Sequence, residues 1–258
     1  MAEWITHASF AQLTLASLAF FSTTSASMLA LSYALERLPL ARVWALPTAP
    51  GQLRLEVIGN GVFVLVTSLA FSAVLGLGLP RFAAPEAERG LATFLMLMWG
   101  FQAYYYGLHR LLHTRPLMRF HRWHHRSHVT TPLSAQSLGW VETLGWAVGY
   151  ALLPALLSHV WPISASGWLT YMAFNAAGNI TGHARFELLP HLPRPRQFAW
   201  FANPSVYHAL HHARFTGHYG FQSVAMDRLF GSEFSDWPEL HARIGKRQPL
   251  RSLHERGA

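Results

Sequence analysis

Four stretches of this 258-residue chain, 4–35, 57–80, 90–109 and 143–184, contain no Asp, Glu, Lys or Arg. A helix needs roughly 20 largely apolar residues to cross a bilayer, and each stretch meets or passes that length. Charged residues make up only 12% of the sequence, about half the share usual in a soluble domain. The expected fold class is therefore all-α: a polytopic membrane protein of about four transmembrane helices. Spans are expected at about Phe10–Leu35, Val57–Leu79 and Leu91–Leu108. The second turns back through Gly78, Pro80 and Pro85. The 143–184 stretch is too long for one crossing and is interrupted by Pro154 and Pro162, so it reads as a helical hairpin turning near Ser158–Pro162. The first Lys or Arg is Arg37; a signal peptide begins with a basic region, so the first stretch is expected to be retained as a span.

The basic residues are unevenly placed. Of 20 Lys and Arg, only Arg81 and Arg89 fall on one predicted side of the membrane; the rest flank the spans and the tail on the other. Positive charge collects on the cytosolic side. The N-terminus is thus expected outside, with the region after residue 184 forming a cytosolic cap. A net charge of +8 distributed in this way suits anionic headgroups and gives no reason to expect nucleic acid as a partner. There is no Cys, which removes disulfides and thiolate ligands from consideration.

The chemistry lies in the histidines. His109 and His113 share a helix face at i and i+4. After Pro116, His121, His124, His125 and His128 follow at helical spacing and would form one stripe. Later, Asn203 and Pro204 read as a helix start, and His208, His211 and His212 repeat the HxxHH pattern. Asn179 and His183 stand at the end of the hairpin's second arm. Each half thus offers a pair at a helix end and then a triplet. Nine imidazoles (His109, His113, His121, His124, His125, His183, His208, His211 and His212) exceed what one ion uses, so two ions are expected. Imidazole suits Zn, Cu, Fe and Ni alike, and spacing leaves the metal open. Between Arg89 and Arg185 the only acid is Glu142, which excludes a carboxylate-bridged diiron bundle with Glu-x-x-His motifs. His128 and His218 stay open between ligand, support and neither. Asn179 is either a water-mediated ligand or a polar helix contact. His7, His159, His191, His241 and His254 read as ordinary polar residues.

The HxxxH of His109–His113, the two HxxHH boxes and their setting in a polytopic chain together resemble the fatty acid hydroxylase/sterol desaturase superfamily. The segment YYYGLHRLLHTRPLMRFHRWHH resembles that superfamily's first block. The segment YHALHHARFTGHYGFQSVAMDRLFGS, closing on Asp227–Gly231, resembles its last. The resemblance covers about residues 91–235, a catalytic region within a single integral membrane domain over 1–258. It implies an O2-dependent non-haem diiron enzyme, with zinc able to take the same site. The reaction would be hydroxylation of an unactivated C–H of a membrane lipid, fatty acyl or sterol-like. Desaturation or carotenoid oxidation is the rival on the same site, and a membrane metal transporter or metal-binding protein is the rival of another class. An external electron donor is implied, a separate ferredoxin or cytochrome with its reductase. Glu142 matches a position where the superfamily often carries an acid; with Glu187 and Asp227 it is a candidate to orient the ligands. Asn179 departs from the pattern, since some lipid hydroxylases of the superfamily carry a histidine there.

Overall fold

A computed structural model describes residues 2–84 and 86–257; Pro85, expected in the second turn, lies outside them. A short helix α1 (Ala2–His7) precedes α2 (Phe10–Leu35). Ser9 caps α2, accepting from the Gln12 backbone N–H while the Gln12 side chain accepts from the Ser9 N–H, a reciprocal arrangement that satisfies orphan donors. Gly51, in the left-handed conformation at φ 77°, turns the chain into α3 (Gln52–Gly76). Then come α4 (Ala87–Leu112), the one-turn α5 (Met118–His121), and the hairpin α6 (Trp140–Leu157) and α7 (Ala165–Gly182). The arms turn between Leu157 and Ala165, around Pro162, while Pro154, expected to interrupt the stretch, sits inside α6.

Three helices, α2, α3 and α6, are long and apolar enough to cross a membrane. Their outward faces carry exposed Leu15, Leu31, Val57, Leu65, Leu69 and Leu144, a display that a soluble surface rarely tolerates. Within α3, Ser68 and Ser72 donate to carbonyls one turn back, so their hydroxyls are satisfied inside the helix. α4 instead turns Gln102, Tyr105 and Tyr106 inward. It meets α7 at a point where a Cβ on Gly167 would overlap the Gly90 carbonyl, so glycine sets the closeness of that crossing. α6 contains a π-helical turn at Val148–Leu152, and Tyr150 from that turn stacks on Phe101 of α4 with centroids 4.5 Å apart.

The cap has its own core. Val206, Tyr207, Leu210, Trp237, Leu240 and Ile244 are buried together with Val43 and Trp44. The stretch between α2 and α3 thus supplies part of the cap. It also forms strand β1 (Ala41–Arg42), which pairs antiparallel with β2 (Phe186–Glu187), a minimal ribbon in a helical molecule. The remaining helices are α8 (Pro195–Phe198), α9 (Ser205–Arg214), α10 (Ala225–Leu229) and α11 (Trp237–Gly245). α9 starts one residue later than the sequence suggests. Pro204 occupies the cap position, and Asn203 points its side-chain amide at the Phe221 carbonyl instead.

Candidate metal centre

The segment carrying His121 to His128 is not one helix. α5 ends at His121, and His124–Arg126 form a 3-10 turn, so the expected single stripe is broken. Glu56 of α3, buried at 1% exposure, pins the chain just beyond that turn. It accepts from Ser127 Oγ (2.8 Å), Thr131 Oγ1 (2.7 Å) and Gln52 Nε2 (2.7 Å). One carboxylate therefore ties the start of a span to the chain leaving the histidines. The sequence hinted at this only by placing an acid at the edge of an apolar run.

The nine imidazoles gather into two groups, each able to hold a metal ion. The first joins His109, His113, His121, His125 and His211; the second joins His124, His183, His208 and His212. Each HxxHH box is divided. Its first and last histidines serve one group and its middle one serves the other, in opposite senses for the two boxes. In α9 this follows from helix geometry. At 3.6 residues per turn, positions i and i+4 lie about 40° apart, while i+3 lies about 60° to the other side. His208 and His212 thus aim together, and His211 aims elsewhere. The duplication expected between the two halves of the chain is replaced by an interleaving of them.

The Nε2 atoms converge. In the first group His109–His121, His113–His125, His121–His125 and His125–His211 are each 3.1 Å apart. In the second, His183–His208 is 3.0 Å, His208–His212 3.1 Å and His124–His183 3.4 Å. Metal–imidazole bonds of about 2.0–2.1 Å put neighbouring ligand atoms about 2.8–3.4 Å apart in octahedral or tetrahedral sites, so the spacing matches a ligand shell. Burial strips water from these rings and pushes His124, His125, His208 and His212 well below the usual histidine range, with repulsion among the imidazoles adding to it. His211 is lowered to about 4 by burial, against the opposing pull of its bond to the Gly217 carbonyl. Neutral rings keep the lone pair that a metal needs.

The opposite ring nitrogens are anchored. His109 Nδ1 donates to Tyr219 O (2.9 Å), His211 Nδ1 to Gly217 O (2.7 Å), His183 Nδ1 to Asn179 O (2.8 Å) and His121 Nδ1 to Glu142 Oε1 (2.7 Å). Such partners fix the tautomer and leave Nε2 facing inward. Two of the carbonyls belong to the loop after α9, where Phe215 and His218 adopt φ of 66° and 57°. Left-handed non-glycine residues are costly. Asp227 holds this loop, accepting from the backbone N–H groups of Tyr219 and Gly220 (2.8 Å each), from Tyr207 Oη (3.0 Å) and from Ser232 Oγ (2.7 Å). Burial raises its carboxyl above the usual range, and these four donors oppose the rise.

The other sequence candidates fall apart by location. Glu142 contacts His121. Asn179 contributes its backbone carbonyl to His183 and donates its side-chain amide to Ala135 O (2.9 Å). His128 is exposed and lies beside the Phe215 ring, centroids 5.7 Å apart; a break in the helix turned it outward. His218 is buried but belongs to neither group. Its ring stacks on Tyr207 at 3.4 Å and its Nδ1 donates to the Tyr207 carbonyl. Glu187 accepts from the Val206 N–H at the start of α9 and is a member of neither group.

The very-long-chain aldehyde decarbonylase GL1-6 of Oryza sativa subsp. indica is 30% identical over 190 residues, covering 70% of this chain and 29% of its own length. The very-long-chain aldehyde decarbonylase CER1 of Arabidopsis thaliana is 35% identical over 136 residues, covering 50% of this chain and 21% of its own length. The chain thus spans less than a third of the length of these relatives. No solved structure matches. The fatty acid hydroxylase family model matches residues 94–232, more than half the chain and the whole of both histidine groups, and the chain belongs to that family.

Proposed function

We propose that the chain is an oxygen-dependent, membrane-bound diiron enzyme that oxidises a lipid. The observation that carries this reading is the pair of buried, all-imidazole groups, five and four strong, whose Nε2 atoms stand at ligand spacing. His109, His113, His121, His125 and His211 would hold one iron, and His124, His183, His208 and His212 the other. Bound there, the iron pair would supply O2 activation and hydrogen removal from a C–H bond. The chain's own residues hold the imidazoles neutral, fix their tautomers through Glu142 and the 217–219 carbonyls, and exclude water. Hydroxylation is the favoured outcome and desaturation its rival. The relatives' names favour a second reading on the same site, decarbonylation of a very-long-chain aldehyde.

The histidines lie at the ends of α4 and α7 toward the basic side, which the charge asymmetry assigns to the cytosol; the N-terminus is then outside. Electrons come from a separate ferredoxin or cytochrome with its reductase. Purified chain supplied with iron, O2 and a reducing system should convert membrane lipid. Mass spectrometry separates the outcomes: one added oxygen, two lost hydrogens, or loss of the carbonyl carbon. Alanine at His124 or His211 should each cost the metal of its own group and abolish product. Normal turnover in either variant defeats the proposal. Metal flux into proteoliposomes without lipid product would favour the transporter reading instead.

A further inference from the structure

The segment from α5 through the 3-10 turn has two faces. His121, His124 and His125 are buried, and Arg119, Arg122 and Arg126 alternate with them on the exposed side. The three arginines line a groove of about 300 Å³ together with Trp123 and Trp140. Trp140 is the first residue of α6, a helix long and apolar enough to cross a membrane, and is 64% exposed. The groove therefore opens at the end of a span. Leu144 and Val148 follow Trp140 at steps of four and are exposed as well, so an apolar stripe leads from the groove down one face of that span.

The charge of the groove is uncompensated. No Asp or Glu lines it, and none of its three arginines takes part in an ion pair among the described residues. Glu142, the third residue of α6, points the other way and accepts from His121 Nδ1. Like charges gathered around one groove repel unless an anion joins them. Two of the guanidiniums are also held in place. Arg119 lies over the Phe120 ring at 4.7 Å and Arg126 over the Trp123 ring at 5.4 Å. Such stacking orients the planar group and leaves its N–H edge free for an oxyanion. Trp is enriched at the headgroup level of a bilayer, and Trp140 sets the groove at that level.

We propose that this groove is a site for one anionic phospholipid of the adjoining leaflet. Its headgroup phosphate is met by Arg119, Arg122 and Arg126, and an acyl chain lies along the stripe of Trp140, Leu144 and Val148. A basic surface attracts anionic headgroups in general, but that attraction needs no groove. Three unpaired guanidiniums around one select a phosphate, whose oxygens match the guanidinium fork two at a time. The apolar stripe favours a lipid over a free phosphate or an acidic protein, since neither of those has a chain to lay against it.

The test is native mass spectrometry of the full chain in neutral detergent, with dioleoylphosphatidylglycerol, dioleoylphosphatidylcholine or dioleoylglycerol added. Phosphatidylglycerol should bind at least about tenfold more tightly than either of the others. Each guanidinium removed should cost about fivefold. The double variant Arg122→Gln with Arg126→Gln then loses about 25-fold. Arg119→Gln, outside the HxxHH box, loses about fivefold and carries the test if the double variant fails to fold. Arg37→Gln with Arg54→Gln removes the same charge from exposed positions outside the groove and should change affinity less than about twofold. Equal binding of phosphatidylcholine, an equal loss in the Arg37 and Arg54 double variant, or unchanged affinity in the groove variants overturns the assignment. Displacement of the lipid by about 10 mM inorganic phosphate gives the groove to a free anion, and displacement by an acidic ferredoxin gives it to a protein; either result overturns it too.

Discussion

The two histidine groups differ in how they are held and what they face. The first has five imidazoles, and three of them lean on fixed acceptors: His121 on Glu142, and His109 and His211 on the loop clamped by Asp227. The second has four imidazoles, and among these His183 alone has its Nδ1 bonded, to Asn179 O; the Nδ1 atoms of His124 and His212 have no partner among the described residues. His183 and His208 of the second group line a cavity of about 180 Å³, while His113 of the first group is the one imidazole of the nine that is only partly buried. A more fully anchored group thus stands beside a leaner one.

The largest expected effect tests the interleaving itself. His211→Ala should empty the first group and leave the second loaded, although its helix neighbours His208 and His212 serve the second. Metal analysis should then fall from two ions per chain to one, with activity lost. If the boxes acted as units, the ion lost would be the one bound by His208 and His212, and difference scattering from the variant would show which remains.

Next in size is Glu142→Gln. The amide keeps an acceptor for His121 but loses the charge, and removing such a partner typically costs about 10- to 100-fold in metal affinity. The loss should appear at the first group only, read by chelator competition on the two sites. Asp227→Asn weakens bonds to four donors and should destabilise the chain by about 2–3 kcal/mol, again loosening the first group before the second.

The metal-free chain should also respond to acid. Its imidazoles are held below the unfolded value of about 6.5, so below that pH the unfolded chain binds more protons than the folded one, and stability falls as pH falls. The loss continues toward 4, where His211 itself protonates. Glu187 opposes this, because burial raises it to about 7; one carboxyl is outweighed by the imidazole groups. Melting temperature of stripped protein should drop by several degrees from pH 7 to pH 5, and bound metal should suppress the drop. A flat profile would contradict the burial assigned to these rings. The smallest effect belongs to His128→Ala, exposed and outside both groups, which should change metal content and turnover less than about twofold.

Much of this was legible in the residues. The charge-free runs placed the long helices within a few residues, because burial in lipid leaves little freedom in composition. The nine histidines could be picked out because spacing of i, i+3 and i+4 constrains direction on a helix. Their partition could not be, since it depends on a 3-10 turn after Arg122 and on which helix ends meet. Glu56 and the loop clamped by Asp227 were hidden for the same reason: their partners lie far along the chain, Ser127 and Thr131 for one, Tyr207 and Tyr219 for the other. Asn203 read as a helix cap because Asn-Pro is a common start, and tertiary pairing with Phe221 and Gln222 overrode it.

Anomalous scattering at the iron edge, from crystals of chain reconstituted with iron, bears most directly on the interleaved site. Two peaks are expected, one amid His109, His113, His121, His125 and His211, the other amid His124, His183, His208 and His212. A single shared peak, or iron lying outside these nine rings, would contradict it.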